Sequence, residues 1–168
     1  MNKILIVGAG FAGLSASRRL SRIAKEAQVI LVDKNSRANF LPLLPDVFGR
    51  GVNPDFLLWP LERVKKWGVD FINAPVTAID LSARSALVGN SSIGYDYLLL
   101  SCGSETNFYG DDRIRQASLK LDDSRDASSI ALALEKMDFG TCLVCGGGYT
   151  GIEIACGLRM HFRQKKID

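Results

Sequence analysis

Histidine is almost missing from this sequence, with His161 standing alone among 168 residues. One imidazole cannot supply a His-rich metal centre or a Ser-His-Asp triad, and no paired-carboxylate or metal-ligand spacing takes its place. His161 itself reads as a surface residue. Long apolar runs are missing too: none reaches the roughly eighteen residues of a membrane span. Lys3 leads straight into a strand pattern rather than a signal-peptide core, so the expected setting is cytoplasmic. The formal net charge is only +3, and the basic residues are scattered apart from a cluster at 163–166 that reads as a solvated helix end. Nucleic acid is therefore not an expected partner. The four cysteines, Cys102, Cys142, Cys145 and Cys156, lack the spacing of a secreted disulfide framework and sit in apolar stretches, as reduced and mostly buried thiols would. What remains is a globular composition, 47% hydrophobic with a mean hydropathy of +0.09. The length suits one domain or one and a half.

Short continuous apolar runs mark strands covered on both faces. KILIVG at 3–8 and QVILVDK at 28–34 are two such runs. Between them, Phe11, Leu14, Leu20, Ile23, Ala24 and Ala27 recur at helical spacing, with Arg18, Arg19, Arg22 and Lys25 turned outward. Residues 39–54 are rich in Pro and Gly and read as a long loop, a length that usually has a functional reason. Residues 57–67 are expected to form a short helix ended by Gly68. Strands are predicted at 71–73, 76–81 and 85–88, then a GNSSIG turn and an apolar strand at 95–101. An acidic start predicts a helix over 122–137, followed by a buried strand over 141–145 and a helix over 149–163. The fold class is α/β: a Rossmann-like parallel sheet with a β-meander crossover.

The glycines Gly8, Gly10 and Gly13 leave the first strand and enter the first helix, which is the context that gives G-x-G-x-x-G its meaning. Gly8 allows the tight turn, Gly10 lets backbone approach a pyrophosphate, and Gly13 lets helix and strand pack closely. Ala9, Phe11 and Ala12 complete the turn, and the helix N-terminus supplies N–H groups and partial positive charge for an anion. Asp33 ends the second strand twenty positions after Gly13, where a carboxylate accepts hydrogen bonds from ribose hydroxyls and repels a 2′-phosphate. Lys34 follows it. Gly146, Gly148 and Gly151 repeat the spacing after TCLVC, but the matching acid would fall near residue ~171, so NADH and NADPH are not distinguished.

IVGAGFAGL at 6–14, ILVDKN at 30–35, NFLPLLPDV at 39–47, YDYLLLSCGSETNFYG at 95–110 and CLVCGGGYTGIEIACGL at 142–158 span nearly the whole chain. Together they resemble the N-terminal part of the FAD-dependent pyridine nucleotide-disulfide oxidoreductase superfamily, most like type II NADH dehydrogenases (NADH:quinone oxidoreductases). The first and last segments are shared by many flavoenzymes. The stretch at 40–47 and ETNFYG are more particular, resembling these dehydrogenases and their sulfide:quinone relatives.

The resemblance implies that residues 1–115 form the N-terminal part of an FAD-binding domain, and 116–168 a linker helix and the start of a truncated NADH-binding unit. FAD would take the first glycine turn and Asp33, and NADH the second. Val76 falls where strand backbone meets the adenine edge, although its spacing is that of an ordinary sheet residue. Ser101, Cys102 and Gly103 fall on the family's Ala-Thr-Gly stretch near the flavin; Cys102 departs from it and reads as a small buried hydrophobe rather than a functional thiol. Pro42, Leu43 and Leu44 line the flavin or else cover a core edge. No cysteine lies within 39–51, where disulfide reductases carry their redox thiols, so electrons would pass directly to a quinone or other small acceptor. Glu153, in the first turn of the last helix, contacts the nicotinamide or relays a proton, or is a plain helix N-terminal acid. The implied function is hydride uptake from NAD(P)H by flavin. The alternatives are a non-catalytic adenine-nucleotide module and part of a sulfide:quinone or ferredoxin-type reductase.

The family's flavin-side Gly-Asp motif, quinone site and membrane-surface helices lie in later segments. On that basis the 168-residue chain alone is expected to be inactive. Its parent would touch the inner face of the cell membrane only through the C-terminal part, and a homo-oligomer is left open. Strand 141–145 and helix 149–163 are expected to pack onto the first sheet, which would cover an otherwise exposed edge.

Overall fold

The computed structural model describes residues 1–137 and 141–164. It comprises two compact units, Met1–Ala38 with Pro60–Ser104, and Asn39–Trp59 with Glu105–Asp168. The expected boundary near 115 falls inside the second of these. Lys165 and Lys166, half of the expected basic helix end, lie outside the described residues. The short strands β3 (Arg37–Asn39) and β4 (Leu58–Pro60) lie where the chain passes from one unit to the other.

The first unit begins with β1 (Asn2–Val7), α1 (Phe11–Ile23) and β2 (Ala27–Asp33). With β5 (Asp70–Asn73) and β9 (Tyr97–Leu100) the strands form an all-parallel sheet in the order β5-β2-β1-β9. Side chains alternate across it, as the pleat requires. Leu5, Val7, Ile30 and Val32 are buried on one face against Ala86 and Val88 of the meander and Tyr95, which follows it. Ile6 and Leu31, fully buried, point the other way, toward the face covered by α1 and a 3₁₀ helix at Leu61–Trp67. Each such side chain contributes roughly 1.5–3 kcal/mol of apolar burial. The meander itself is β6 (Val76–Asp80), β7 (Ser85–Val88) and β8 (Ser91–Gly94), all antiparallel.

Several expectations change here. GNSSIG is mostly strand: Gly89 and Asn90 make a two-residue turn, with Gly89 at φ +57°, and Ser91–Gly94 pair back onto β7. Residues 57–67 are not one helix, because β4 interrupts them before the 3₁₀ segment that Gly68 ends at φ +76°. Along α1, Phe11 and Ile23 are exposed, and the buried positions are Gly13 and Ser17, whose small size lets the helix sit close to the sheet. The buried Ser17 hydroxyl is satisfied by donating to the Gly13 carbonyl at 2.7 Å.

In the second unit, the expected loop at 39–54 is largely helical: a 3₁₀ turn (Leu41–Leu43) runs into α2 (Leu44–Arg50). Proline is at home in the first helical turn, and Leu44, Val47 and Phe48 recur at i, i+3 and i+4, a pattern that the prolines and glycines masked. Gly51 ends α2 in the left-handed region at φ +70°. A 3₁₀ turn at Pro54–Leu57, α3 (Asp112–Ala117), α4 (Ser124–Glu135) and α5 (Tyr149–Gln164) complete the unit. Asp123 caps α4 in a reciprocal box with Asp126. Leu44, Val47, Leu57 and Ala127 form one cluster; Phe48, Ile130 and Leu134 form another, against which Ile154, Leu158 and Phe162 of α5 pack. Helices α2 and α5 meet through glycine, since a Cβ on Gly49 would lie 2.8 Å from the Gly157 Cα.

The predicted strand at 141–145 does not form, and the segment enters none of the sheets. Its packing onto the first sheet as a strand is thereby overturned. Apolar composition alone does not make a strand; a neighbour must pair its N–H and C=O groups. The thiols also differ from expectation. Cys102, Cys145 and Cys156 are exposed and Cys142 is half-buried against the Phe48 cluster. His161 is not a free surface residue: its Nδ1 donates to the Phe48 carbonyl at 3.0 Å and its buried Nε2 has no partner.

Candidate nucleotide-binding site

Strand β1 ends between β2 and β9, where the sheet grows one way through β2 and β5 and the other way through β9. That reversal opens a crevice at the carboxyl ends of the strands, the place where open α/β sheets take ligands. Gly8 turns the chain out of β1 at φ +97°, and a Cβ there would overlap the Ser101 carbonyl and lie 2.9 Å from the Cys102 Cα. A Cβ on Gly13 would run into the Gly8 carbonyl. Around Gly10, by contrast, nothing lies within 4 Å. Two glycines thus serve the fold, and the third keeps the backbone approachable. Gly10 is also the N-cap of α1, and its helix start carries no side-chain cap. Ala9 is buried beneath the turn, and Phe11 and Ala12 open the helix on its exposed side.

The turn is tied down on both sides. The Gly8 N–H donates to the Val32 carbonyl and the Ser101 N–H to the Val7 carbonyl, each at 2.8 Å. The Ser101 hydroxyl lies 3.0 Å from the Val7 carbonyl and 2.8 Å from that of Gly8. Asp33, at the end of β2, accepts the Ala9 N–H on Oδ2 and the Asn35 N–H on Oδ1, both at 2.7 Å. The structure therefore brings Gly8, Gly10, Gly13, Asp33 and Ser101 to one edge. Cys102 and Gly103 follow Ser101 and are exposed, with the Cys102 thiol 3.7 Å from the Val7 carbonyl. Lys34 is exposed next to Asp33. Val76 is half-buried against the sheet core and pairs with Val88 beside a bulge.

The second turn repeats the first without a paired strand before it. Gly146 has φ +115°, the space around Gly148 is open, and a Cβ on Gly151 would strike the Gly146 carbonyl. The Ile152 N–H donates to the Gly148 carbonyl at 3.1 Å, the counterpart of Leu14 to Gly10 at 2.9 Å. Glu153 lies past the first turn of α5, not within it as expected, is exposed, and shares a cavity of about 220 Å³ with Pro42, Arg50, Cys156 and Met160. Leu43 is exposed beside Pro42, whereas Leu44 is buried in the helix core with Val47, Leu57 and Ala127.

A family model described as pyridine nucleotide-disulphide oxidoreductase matches residues 2–165. The chain belongs to that family. Among curated relatives, it is 30% identical to the type II NADH:quinone oxidoreductase of Staphylococcus haemolyticus and 28% identical to that of Staphylococcus aureus. Each match covers 90% of this chain and 41% of the relative, so the chain spans about two fifths of their length. Among solved structures, reduced CoADR-RHD of Bacillus anthracis superposes with a TM-score of 0.83 at 24% identity, over 99% of this chain and 32% of that one. NDH2 of Plasmodium falciparum in complex with NADH gives 0.78 at 19% identity, over 98% and 38%. At these identities the structural likenesses speak to the fold.

Family membership draws attention to groups that the spacing of motifs passed over. Asn73 ends β5 at the same sheet edge, and its Nδ2 donates to the Asp33 carbonyl at 3.0 Å. The signal was a polar residue closing an apolar strand next to a candidate site strand. In the ETNFYG segment, the Thr106 hydroxyl donates to Asp122 at 2.7 Å and Lys120 sits 2.8 Å from the same carboxylate. Burial pushes Asp122 up, but Lys120 and Thr106 outweigh it and hold the carboxyl below its ordinary range. Among the described residues, no group of three or more His, Cys, Asp or Glu side chains could hold a metal, and no helix is long and apolar enough to cross a membrane.

Proposed function

We propose that this chain is the nucleotide-binding portion of an FAD-dependent NAD(P)H oxidoreductase whose acceptor is a quinone or similar small molecule. The observation that carries the reading is the shared geometry of the two glycine turns: positive φ at Gly8 and Gly146, open space at Gly10 and Gly148, and close approach at Gly13 and Gly151. Such geometry fits a pyrophosphate at each turn, with helix N–H groups as donors. Asp33, next to the first turn, fits a ribose and supports the adenosine of FAD as its ligand. On this reading residues 1–115 carry FAD, and 116–168 begin the part that takes NAD(P)H.

A bound flavin would supply hydride acceptance from the nicotinamide and onward electron transfer. The chain's own residues bind and orient. Ala9, Phe11 and Ala12 shape the FAD turn, Lys34 flanks the ribose, and Val76 offers backbone to the adenine edge. Ser101, Cys102 and Gly103 keep small groups toward the flavin, and Pro42 and Leu43 are proposed as cofactor-binding residues by the family resemblance. Glu153, in α5 after the second glycine turn, is the side chain proposed to contact the nicotinamide or hold a proton. The names of the staphylococcal relatives support NADH and quinone as substrates. A cytoplasmic setting, peripheral on the inner membrane face in a full-length parent, belongs to the same proposal.

Purified chain that is yellow, releases FAD on denaturation and bleaches with NADH would bear the reading out. Chain that binds neither FAD nor ADP would sink it. A second reading, an adenine-nucleotide module without catalysis, is favoured by the absence of a strand before the second turn. It predicts colourless protein that binds ADP and leaves NADH unoxidised.

A further inference from the structure

We infer that Asn73 is a positioning residue of the adenosine site, holding the end of β2 so that the Asp33 carboxylate meets the ribose hydroxyls. The inference rests on the reading of the first glycine turn as an adenine-dinucleotide site. Asn73 is the last residue of β5 and stands beside Asp33, the last of β2, in the parallel register. At this last paired position of the ladder the Asn73 side chain donates Nδ2 to the Asp33 carbonyl at 3.0 Å.

Asp33 is thereby held at three atoms. Asn73 holds its carbonyl oxygen, the Ala9 N–H holds Oδ2 and the Asn35 N–H holds Oδ1. Each carboxylate oxygen accepts along two lone-pair directions, so ribose hydroxyls can bind without displacing the N–H groups that aim them. The chain beyond Asp33 leaves the sheet through exposed Lys34, Asn35 and Ser36, which lend the strand end no packing. The Asn73 amide therefore adds a side-chain tie to the β2–β5 ladder at the backbone of Asp33. Asn73 is itself exposed and the residue before it, Ile72, supplies the packing on the sheet core, so replacing the amide leaves the core intact.

The test compares ADP with 2′,3′-dideoxy-ADP, which lacks the hydroxyls that Asp33 would hold, by titration calorimetry on the 168-residue chain. Asn73→Leu keeps the bulk and removes the donor; Asn73→Ala removes both. Both variants are expected to weaken ADP binding about three- to tenfold, the effect of one lost hydrogen bond, while dideoxy-ADP stays within about twofold of its original affinity. Equal weakening of both ligands would assign Asn73 a general structural role and overturn the inference, as would no weakening of either. Asp33→Asn separates the two levels. If the unaltered chain binds ADP and dideoxy-ADP equally, or Asp33→Asn leaves ADP binding unchanged, the ribose reading of Asp33 itself fails.

Discussion

Gly8→Ala and Gly10→Ala change neighbouring glycines of one turn, yet the geometry separates their consequences. At Gly8 an added methyl meets backbone, the Ser101 carbonyl and the Cys102 Cα, which cannot rotate away as a side chain would. The residue also sits at φ +97°, which costs an L-residue about 1–2 kcal/mol. With roughly 1–3 kcal/mol more for overpacking, Gly8→Ala should lose about 3 kcal/mol, a large share of the 5–15 kcal/mol typical of a domain. At Gly10 the methyl meets nothing within 4 Å and the backbone is extended, so stability should change by under ~1 kcal/mol, the ordinary difference between Gly and Ala at an N-cap. On the proposed reading of the turn that methyl stands where a pyrophosphate would approach the helix N-terminus, so ADP affinity should fall at least tenfold or so. Urea denaturation followed by circular dichroism reads the first effect and calorimetric titration with ADP the second. A Gly8→Ala protein as stable as the parent, or a Gly10→Ala protein that binds ADP unchanged, would refute the assignment of these roles.

Three further predictions concern the second unit. Gly151→Ala, whose methyl strikes the Gly146 carbonyl, should disrupt the second turn, whereas Gly148→Ala should fold normally; hydrogen exchange over 146–153 distinguishes them. Gly157→Ala puts a methyl 2.9 Å from the Phe48 ring and 3.2 Å from the Pro45 carbonyl, and is expected to cost about 1–3 kcal/mol in denaturant unfolding. Asp123→Ala removes the α4 cap and should cost ~1 kcal/mol at neutral pH. Burial pushes Asp123 up, but Arg125 and the N–H groups of Asp126 and Arg125 outweigh it and hold its folded value below the ordinary carboxylate range. The stabilisation is therefore full above about pH 4, the unfolded value, and is lost as pH falls through the lower folded value. Melting curves of Asp123→Ala and the parent should converge on acidification; a gap that persists below about pH 2 would refute this cause.

The first glycine turn, Asp33, the parallel strands and the meander were legible because their causes are local. Gly8 needs a positive φ, β1 and β2 need apolar residues on both faces, and a period of two marks β7, all within a few residues of chain. Helix α2 was harder to see. Its apolar spacing is helical, but Pro42, Pro45, Gly49 and Gly51 are also what a loop contains, and the choice falls to the burial of Val47 and Phe48 against α4 and α5. Asn73 could not be singled out from spacing, since its role depends on which strand lies beside it.

The sequence by itself determined the βαβ unit and the conformation of both glycine turns, because backbone sterics and helix entry act over neighbouring residues. Only the tertiary structure decided whether TCLVC becomes a strand, since pairing requires a partner that no local pattern supplies. The same holds for Cys145 and Cys156, which are exposed despite apolar neighbours, and for His161, drawn inward to the Phe48 carbonyl. Burial and pairing are properties of what distant parts of the chain bring alongside, and a one-dimensional pattern carries them only where it also dictates the neighbour.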